Sequence, residues 1–295
     1  MRRRGRIAFA LAFIAPAVLL YAGLVLWPLL RAFALSLYHT RGLSTKKEFV
    51  GLQNYTDLAK DEIFRTAVTN NLKLLVVVVV AVTVLGLLLA HVTEGKGPVA
   101  KVLRSVYLFP HVISIVVVGI LWQFLLHPSI GIVTATFDRL GWKDQPTWLG
   151  DPSTSLLSVA VAFVWYGIGF YIMLFSAALK GVPGDVFEAA ELDGTRGLHR
   201  FWTITWPLIW SIRRVVVVHA AIATLNTFAL VRLMTNGGPF RASEVTLTYL
   251  YEQGFQPNSF YGYATAIAVL NFLLVMGVSS VILAAFRRDP QAVRR

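Results

Sequence analysis

The chain alternates long apolar runs with shorter polar segments, and six of the runs are long enough to cross a bilayer. A spanning helix needs about 20 mostly apolar residues. The runs that qualify are 7–30, 72–92, 106–126, 156–179, 212–233 and 263–286. Helices satisfy the backbone of such segments in lipid, because they pair its polar groups internally. The pattern therefore predicts an all-α integral membrane protein with six transmembrane helices in a single domain, 1–295.

Composition supports this prediction and excludes several classes of protein. Of the 295 residues 56% are hydrophobic and 14% charged, whereas soluble domains have about a quarter of their residues charged. The net charge of +12 comes from basic residues that flank apolar runs instead of covering one face, so nucleic-acid binding is not predicted. Because the chain has no cysteine, disulfides and thiolate metal sites are excluded.

The distribution of Lys and Arg predicts the orientation. The first apolar run, 7–30, exceeds the roughly 7–15 residues of a signal-peptide core, so we interpret it as a retained first helix. With the N-terminus in the cytoplasm, sixteen of the 27 basic residues fall in cytoplasmic segments, which is the bias of membrane proteins. Both termini and the polar segment 183–207 are then cytoplasmic.

The segment 183–207, PGDVFEAAELDGTRGLHRFWTITWP, is the most informative polar stretch. Pro183 ends the preceding helix. Asp185, three residues before Glu188, has the spacing of a capping box, and Gly194 has the position of a helix C-terminus. Pro207 marks the return to the membrane. On pattern alone, an ordinary cytoplasmic loop and a docking site for a soluble partner both remain open.

The residues of this segment resemble a known motif. Glu188-Ala189-Ala190, followed by Gly194 and then by Ile204 and Pro207, resembles the EAA loop of bacterial ABC importer permeases. The strings FVGLQNY at 49–55 and TNGGP at 235–239 resemble the carbohydrate branch, which includes maltose-type and glycerol-phosphate-type permeases. The resemblance implies the type I permease fold of ABC importers, with 183–207 as the cytoplasmic coupling loop.

The resemblance also implies function, partners and location. It implies a permease subunit that moves a sugar or sugar derivative into the cytoplasm and works with a second homologous permease subunit, a dimer of ATP-binding subunits and an extracytoplasmic solute-binding protein. This chain would bind no cofactor, and ATP and Mg²⁺ would be used by the partner ATPase. It would be a multi-pass protein of a bacterial or archaeal plasma membrane. The residues assigned to coupling are Glu188, Ala189, Ala190, Asp193, Gly194, Ile204 and Pro207.

A substrate path is predicted in the fourth and fifth spans, because sugar sites combine aromatic faces with hydrogen-bonding groups. Its candidate residues are Trp165, Tyr166, Gly167, Phe170, Thr224, Asn226 and Thr227. The resemblance to maltose-type permeases adds support for Trp165, Gly167, Thr224 and Thr227, by their distances from Pro183 and Asn236. Threonines stand at 224 and 227 where the maltose-type permease has amides, so maltose itself is not predicted. The alternative is that these aromatic and small residues only pack helices together.

The chemistry that the chain lacks limits the alternatives, which are an ion-coupled secondary carrier and a membrane-embedded enzyme. None of the fifteen carboxylates lies in a predicted span, whereas ion-coupled carriers usually place such groups there. No GxxxxGK[ST] phosphate loop and no HExxH metal motif is present, so we predict no catalytic and no metal site. His111 and His219, each alone near membrane depth, are interpreted as packed or interfacial, with a ligand or proton-carrier role left open.

Overall fold

A computed structural model describes residues 3–42, 47–93, 97–256 and 259–287, and this part of the chain is almost entirely helical. Two short strands, β1 (Tyr38–His39) and β2 (Glu48–Phe49), form an antiparallel pair in which Tyr38 faces Phe49. The helices in chain order are α1 (Arg3–Tyr21), α2 (Trp27–Leu35), α3 (Gln53–Lys60), α4 (Glu62–Val92), α5 (Pro98–Val112), α6 (Ile115–Leu125), α7 (Ile132–Arg139), α8 (Ser155–Lys180), α9 (Gly184–Leu192), α10 (Gly197–Arg200), α11 (Trp206–Leu208), α12 (Trp210–Leu225), α13 (Ala229–Met234), α14 (Thr246–Phe255) and α15 (Tyr261–Ala285).

The chain divides into two compact units. The first consists of Met1–Asp61 and Leu250–Phe272, and the second consists of Glu62–Tyr249 and Leu273–Arg295. A π-helical turn, Ala22–Leu26, joins α1 to α2, and a second one, Phe201–Thr205, joins α10 to α11.

In the first unit, the FVGLQNY string anchors the short helix α3. The Asn54 side-chain amide donates to the carbonyl of Ser36 at 2.8 Å and to that of Tyr38 at 3.2 Å. Tyr55 shares a hydrogen bond of 2.6 Å with the Ser36 hydroxyl. A β-carbon at Gly262 would run into the Tyr38 carbonyl, so this position requires glycine. The string therefore ties a short amphipathic helix to the apolar segment before it.

In the second unit, α8 packs along α4 and α5, and α12 packs against α4. The core side of α4 repeats at four-residue spacing through Leu74, Val78 and Val82, all buried. A β-carbon at Gly169 of α8 would run into the backbone carbonyl of Tyr107 in α5. Small residues at such crossings let membrane helices approach closely, because lipid supplies no hydrophobic drive for their association.

Within the described ranges, four helical segments are long and apolar enough to span a membrane on their own: Leu11–Leu35, Glu62–Val92, Ser155–Lys180 and Tyr261–Ala285. Two more pass as bent pairs, Ser105–Val112 with Ile115–Leu125 at 109° and Phe201–Leu208 with Trp210–Leu225 at 68°. Six spans result if each bent pair counts as one, in agreement with the predicted number.

The third and fifth spans, predicted at 106–126 and 212–233, are both interrupted. Pro110 predicts a kink in the third span, and the break lies three residues after it, at Ile113. In the third, Ile113 and Ser114 are extended, and the Ser114 hydroxyl accepts from the amide of Val116 as a new N-cap. In the fifth, α12 ends at Leu225, whose carbonyl accepts a hydrogen bond of 3.2 Å from the Asn71 side chain. Non-helical backbone at membrane depth needs such partners. Apolar periodicity does not show where they lie.

Candidate functional site

The segment 183–207 forms a short helix with a different start from the one predicted. Helix α9 begins at Gly184 with Pro183 as its N-cap, and no side-chain hydrogen bond caps it. The predicted capping box of Asp185 and Glu188 is therefore wrong. Pro183 is the residue directly before the helix, so Asp185 already lies inside the first helical turn. In that position its negative charge interacts favourably with the helix dipole, although its side chain does not cap the helix.

The C-terminus of α9 has the predicted glycine stop. Gly194 has φ +75°, in the left-handed region. Its amide donates to the Glu191 carbonyl at 3.1 Å, and the amide of Thr195 reaches back to the Ala190 carbonyl at 2.9 Å. These two bonds form a Schellman motif, which satisfies carbonyls that the helix end would leave unpaired. Gly194 therefore turns the chain sharply after nine helical residues.

The exposed side of α9 carries an acidic and an apolar residue together. Glu188 and Ala189 are exposed, Ala190 is buried, and Asp193 at the C-cap is exposed. Leu192, one turn after Glu188, is 90% exposed. Within the described part of the chain, Glu188 takes part in no hydrogen bond and no ion pair that would occupy its carboxylate. Leu192 is not among the predicted coupling residues, although its spacing of four residues from Glu188 places both on one side of the helix.

The second half of the segment leads into the fifth span through an aromatic cluster. The ring of Trp202 lies 5.1 Å from that of Phe201 and 5.3 Å from that of Trp206, measured between centroids. The predicted coupling residues Ile204 and Pro207 are half-buried here. They lie among the packed residues of the turn, whereas Glu188 and Ala189 lie on its open surface.

The aromatic residues of the predicted substrate path lie together in the second unit. Trp165 meets Trp122 edge to face at 5.9 Å, and Tyr166 lies 5.3 Å from His111. Gly167 is buried, with a β-carbon position 3.4 Å from the Tyr171 ring. Trp122 brings α6 to this group, so it includes a helix that the prediction did not use.

Phe170 lies between two histidines, a relation that sequence reasoning missed. Its ring centroid is 5.6 Å from that of His111 and 4.9 Å from that of His219. Nδ1 of His219 lies 3.2 Å from the hydroxyl oxygen of Tyr171. Both imidazoles are exposed. They bring to the aromatic cluster the hydrogen-bonding capacity that the prediction had assigned to threonines.

The predicted polar residues of the fifth span divide into two groups. Thr224 is 1% exposed, and its hydroxyl donates to the Ala220 carbonyl at 2.7 Å within the helix. Thr227 is also buried, and its hydroxyl has no hydrogen-bond partner among the described residues. Asn226 is exposed and donates to the Ile222 carbonyl at 2.8 Å. The structure thus places the threonines inward and the asparagine outward.

No metal site competes with this interpretation in the described ranges. There, no group of three or more His, Asp or Glu side chains could hold a metal ion. His111 and His219 are joined through an aromatic ring instead of a shared carboxylate. What the arrangement offers is aromatic surface and hydrogen-bonding imidazole and hydroxyl groups.

Comparison with known proteins decides the family. The family model described as "Binding-protein-dependent transport system inner membrane component" matches residues 82–289. The chain belongs to this family. A probable ABC transporter permease of Bacillus subtilis, YurN, is 35% identical to this permease over 90% of the chain and 92% of its own length. The diacetylchitobiose uptake permease NgcF of Streptomyces coelicolor is 34% identical over 90% of the chain and 78% of its own.

A solved structure agrees with the fold of the permease. A bacterial ABC transporter chain involved in import of the acidic polysaccharide alginate superposes with a TM-score of 0.82 over 97% of both chains, at 23% identity. The predicted fold, an ABC importer permease with membrane-spanning helices, is confirmed. The permease is a multi-pass inner membrane component of a binding-protein-dependent transport system and not an enzyme. The individual coupling and path residues remain predictions.

Proposed function

We propose that this permease carries a carbohydrate from an extracytoplasmic binding protein to the cytoplasm, powered by a separate ATPase. The observation that carries the proposal is the group of Tyr166, Phe170, His111 and His219, which combines aromatic faces with exposed imidazoles. Carbohydrates offer apolar ring faces and many hydroxyls, so they suit a site built from aromatic rings and hydrogen-bonding groups. The diacetylchitobiose uptake permease, 34% identical, supports this substrate class.

The exposed face of α12 supports a path over a purely structural role. Val215, His219, Ile222 and Asn226 follow one another at helical spacing and are all exposed. A polar side chain facing hydrocarbon is costly, and intramembrane polar groups face a bundle interior or a water-filled cavity. The polar members of this face therefore favour a wet cavity or a second permease subunit over lipid. We infer that a homologous permease subunit covers this face and completes the path.

The segment 183–207 supports the coupling role. Its exposed Glu188, Ala189 and Leu192 form a small surface with charge and apolar area on one side of a helix fixed at its end by Gly194. A soluble partner can bury Leu192 and pair with Glu188. We infer that this partner is one subunit of an ATP-binding dimer, which binds the ATP and Mg²⁺.

The proposed orientation has both termini and segment 183–207 in the cytoplasm. Since the natural chain has no cysteine, single cysteines at Gly184 and Asn236, both exposed, give an unambiguous labelling test. We expect an impermeant maleimide to label position 236 in intact cells and position 184 only in inverted vesicles. Labelling of both positions from one side would contradict the orientation.

Reconstitution tests the substrate class. The tagged permease is purified from its host, its co-purifying subunits are identified, and the complex is placed in lipid nanodiscs with the cognate binding protein. We expect ATP hydrolysis to rise several-fold with one of a panel of oligosaccharides or sugar derivatives and to stay basal with amino acids or inorganic phosphate. Stimulation by a non-carbohydrate alone would overturn the proposal.

A further inference from the structure

A buried carboxylate in the loop between α13 and α14 has no role in the transport path described above. Glu244 is 1% exposed. Its carboxylate accepts from the Arg241 guanidinium at 2.7 Å and from the hydroxyl of Thr248. A charge is costly to bury unless it is paired and hydrogen-bonded, and removing one partner leaves that cost uncompensated. The loop 235–245 and the first turn of α14 are therefore arranged around this carboxylate.

The backbone of the loop closes directly over Glu244. Gly237 has φ +81°, and a β-carbon there would run into the Glu244 carboxylate. The hydroxyl oxygen of Ser243 lies 2.5 Å from the Gly238 carbonyl oxygen and 2.7 Å from the Thr235 hydroxyl oxygen, both within hydrogen-bond distance. The TNGGP string is therefore more than a flexible turn. Its glycine makes room for a carboxylate seven residues later in the chain.

Two neighbouring asparagines of α4 form hydrogen bonds with the backbone of this segment. The Asn70 amide nitrogen lies 3.0 Å from the carbonyl oxygens of Ala242 and Glu244. The Asn71 carbonyl oxygen accepts from the amide of Thr246 at 2.9 Å. Because these bonds go to backbone groups, they fix the path of the chain, and the Thr246 hydroxyl adds a side-chain bond to Asn71 at 3.2 Å. The loop is thus attached to a long membrane helix at several points.

The backbone that these hydrogen bonds hold has three residues other than glycine with positive φ. Asn236, Phe240 and Arg241 have φ of +53°, +48° and +65°. Positive φ is tolerated by asparagine but is a genuine outlier for a bulky residue such as phenylalanine. Strained backbone persists only where the surroundings over-determine it, and it is concentrated at functional sites. The positive φ at Phe240 therefore indicates that the conformation of the loop serves a function.

The side chain displayed by the strained backbone is apolar. Phe240 is 95% exposed, although it sits among hydrogen-bonded polar residues outside the apolar runs of the sequence. Aromatic residues on preorganised surfaces are typical anchors of protein interfaces, where a few residues supply most of the binding energy. Preorganisation also lowers the ordering cost of association.

We propose that Phe240 is an anchor for the extracytoplasmic binding protein and that Glu244, with Arg241 and Asn70, is the lock that presents it. The inference rests on the proposed orientation, which puts this loop on the outer side. The family to which the chain belongs depends on a binding protein, so a partner that must recognise the outer face exists. A pocket of that protein lined by apolar side chains would take the ring.

Phe240→Ala tests the anchor, because an exposed side chain can be removed without opening a core. The complex in nanodiscs is titrated with the cognate binding protein, and its affinity is read from stimulated ATP hydrolysis and from direct binding. We expect the apparent dissociation constant to rise about tenfold or more, as for an interface hot spot. The matched control is Phe49→Ala, another exposed phenylalanine, which should leave the constant unchanged. An unchanged constant for Phe240→Ala would overturn the proposal.

A photo-reactive phenylalanine analogue at position 240 identifies the partner directly. In intact cells, we expect a cross-link to the binding protein. A cross-link only to lipid or to a second membrane subunit would overturn the assignment of the partner.

Glu244→Gln tests the lock, because glutamine keeps the shape and the bond with Thr248 but loses the ion pair with Arg241. We expect weaker affinity for the binding protein with the maximal stimulated rate retained, whereas a general folding defect would lower the maximal rate. Unchanged affinity would remove Glu244 from the proposal. These readouts do not depend on the substrate. A complex that transports a non-carbohydrate would therefore overturn the proposed function and leave this inference standing.

Discussion

The guanidinium carbon of Arg213 lies 3.8 Å from the centre of the Trp206 ring. Trp206 belongs to the end of segment 183–207, whereas Arg213 lies in the first turn of α12, beyond the 68° bend between the two helices of this span. The second ring near the cation is that of Trp210, at 5.1 Å. Arg213 is 6% exposed. The Arg213 cation therefore links the end of segment 183–207 to the first turn of α12 through its contacts with two indole rings.

Arg213→Ala should loosen this joint. Cation–π contacts stabilise by about 0.5–2 kcal/mol each, so we expect a lower thermal unfolding temperature of the complex and weaker substrate-stimulated ATP hydrolysis. Arg213→Lys should recover only part of both, because an ammonium group lacks the planar stacking surface. Exposed Arg214 provides the matched control, since Arg214→Ala removes the same charge next in the chain. Equal effects at 213 and 214 would show that net charge matters and the stacking does not.

Gly194→Val should uncouple the permease. The left-handed backbone at Gly194, φ +75°, costs an L-residue about 1–2 kcal/mol, and a β-branched side chain tolerates it least. We expect the protein to insert normally while uptake and stimulated ATP hydrolysis are lost. Gly184→Ala is the control, because that glycine has open space around it and no positive φ. Normal uptake by Gly194→Val would mean that the Schellman turn is dispensable.

The exposed side of α9 should tolerate neither charge reversal nor loss of its apolar residue. Burying a leucine side chain contributes about 1.5–3 kcal/mol, so Leu192→Glu should sharply reduce the amount of ATPase that co-purifies. Glu188→Lys should also reduce the amount of co-purifying ATPase, because it places a positive charge opposite the partner group that pairs with Glu188. The controls are Leu140→Glu and Glu48→Lys, also exposed. Full retention of the ATPase by both α9 variants would remove this helix from the interface.

The sequence predicted what depends on local chemistry. Gly194 stops a helix because only glycine readily takes the left-handed backbone, and this requirement is visible in the chain itself. The number of spans could also be predicted, because the length and apolarity of each run are properties of the local sequence. The break after Leu225 was not visible, because its compensation comes from Asn71, 154 residues away. Asn70 and Glu244, 174 residues apart, are joined in the same way.

The candidate path shows the same division. Aromatic residues at 165, 166 and 170 were predicted from type and position, and they lie together. The rotation of each helix about its axis decides which polar groups face the aromatic cluster. A single sequence does not determine this rotation. Thr224 turned out to bond to its own helix, while His219, interpreted from sequence as packed or interfacial, is exposed beside Phe170.

The path residues should therefore differ in their effect on transport. Trp165→Ala should impair uptake while the ATPase still co-purifies, because it removes a large aromatic face opposite Trp122. His219→Phe keeps the ring but loses its hydrogen bonds, so we expect a raised KM for the sugar. Thr224→Val should change uptake little, because the lost hydroxyl is buried and served only the Ala220 carbonyl, a bond that contributes about 0.5–1.5 kcal/mol net to stability.

The comparison within one assay separates a path from packing. Uptake of the identified sugar is measured at several concentrations for Trp165→Ala, His219→Phe and Thr224→Val, with the amount of assembled complex determined for each. If the aromatic and histidine side chains contact substrate, their variants lose transport per assembled complex, while Thr224→Val retains it. If all three lose assembly in parallel and transport per complex is unchanged, the cluster only packs helices, and the sugar passes over another surface.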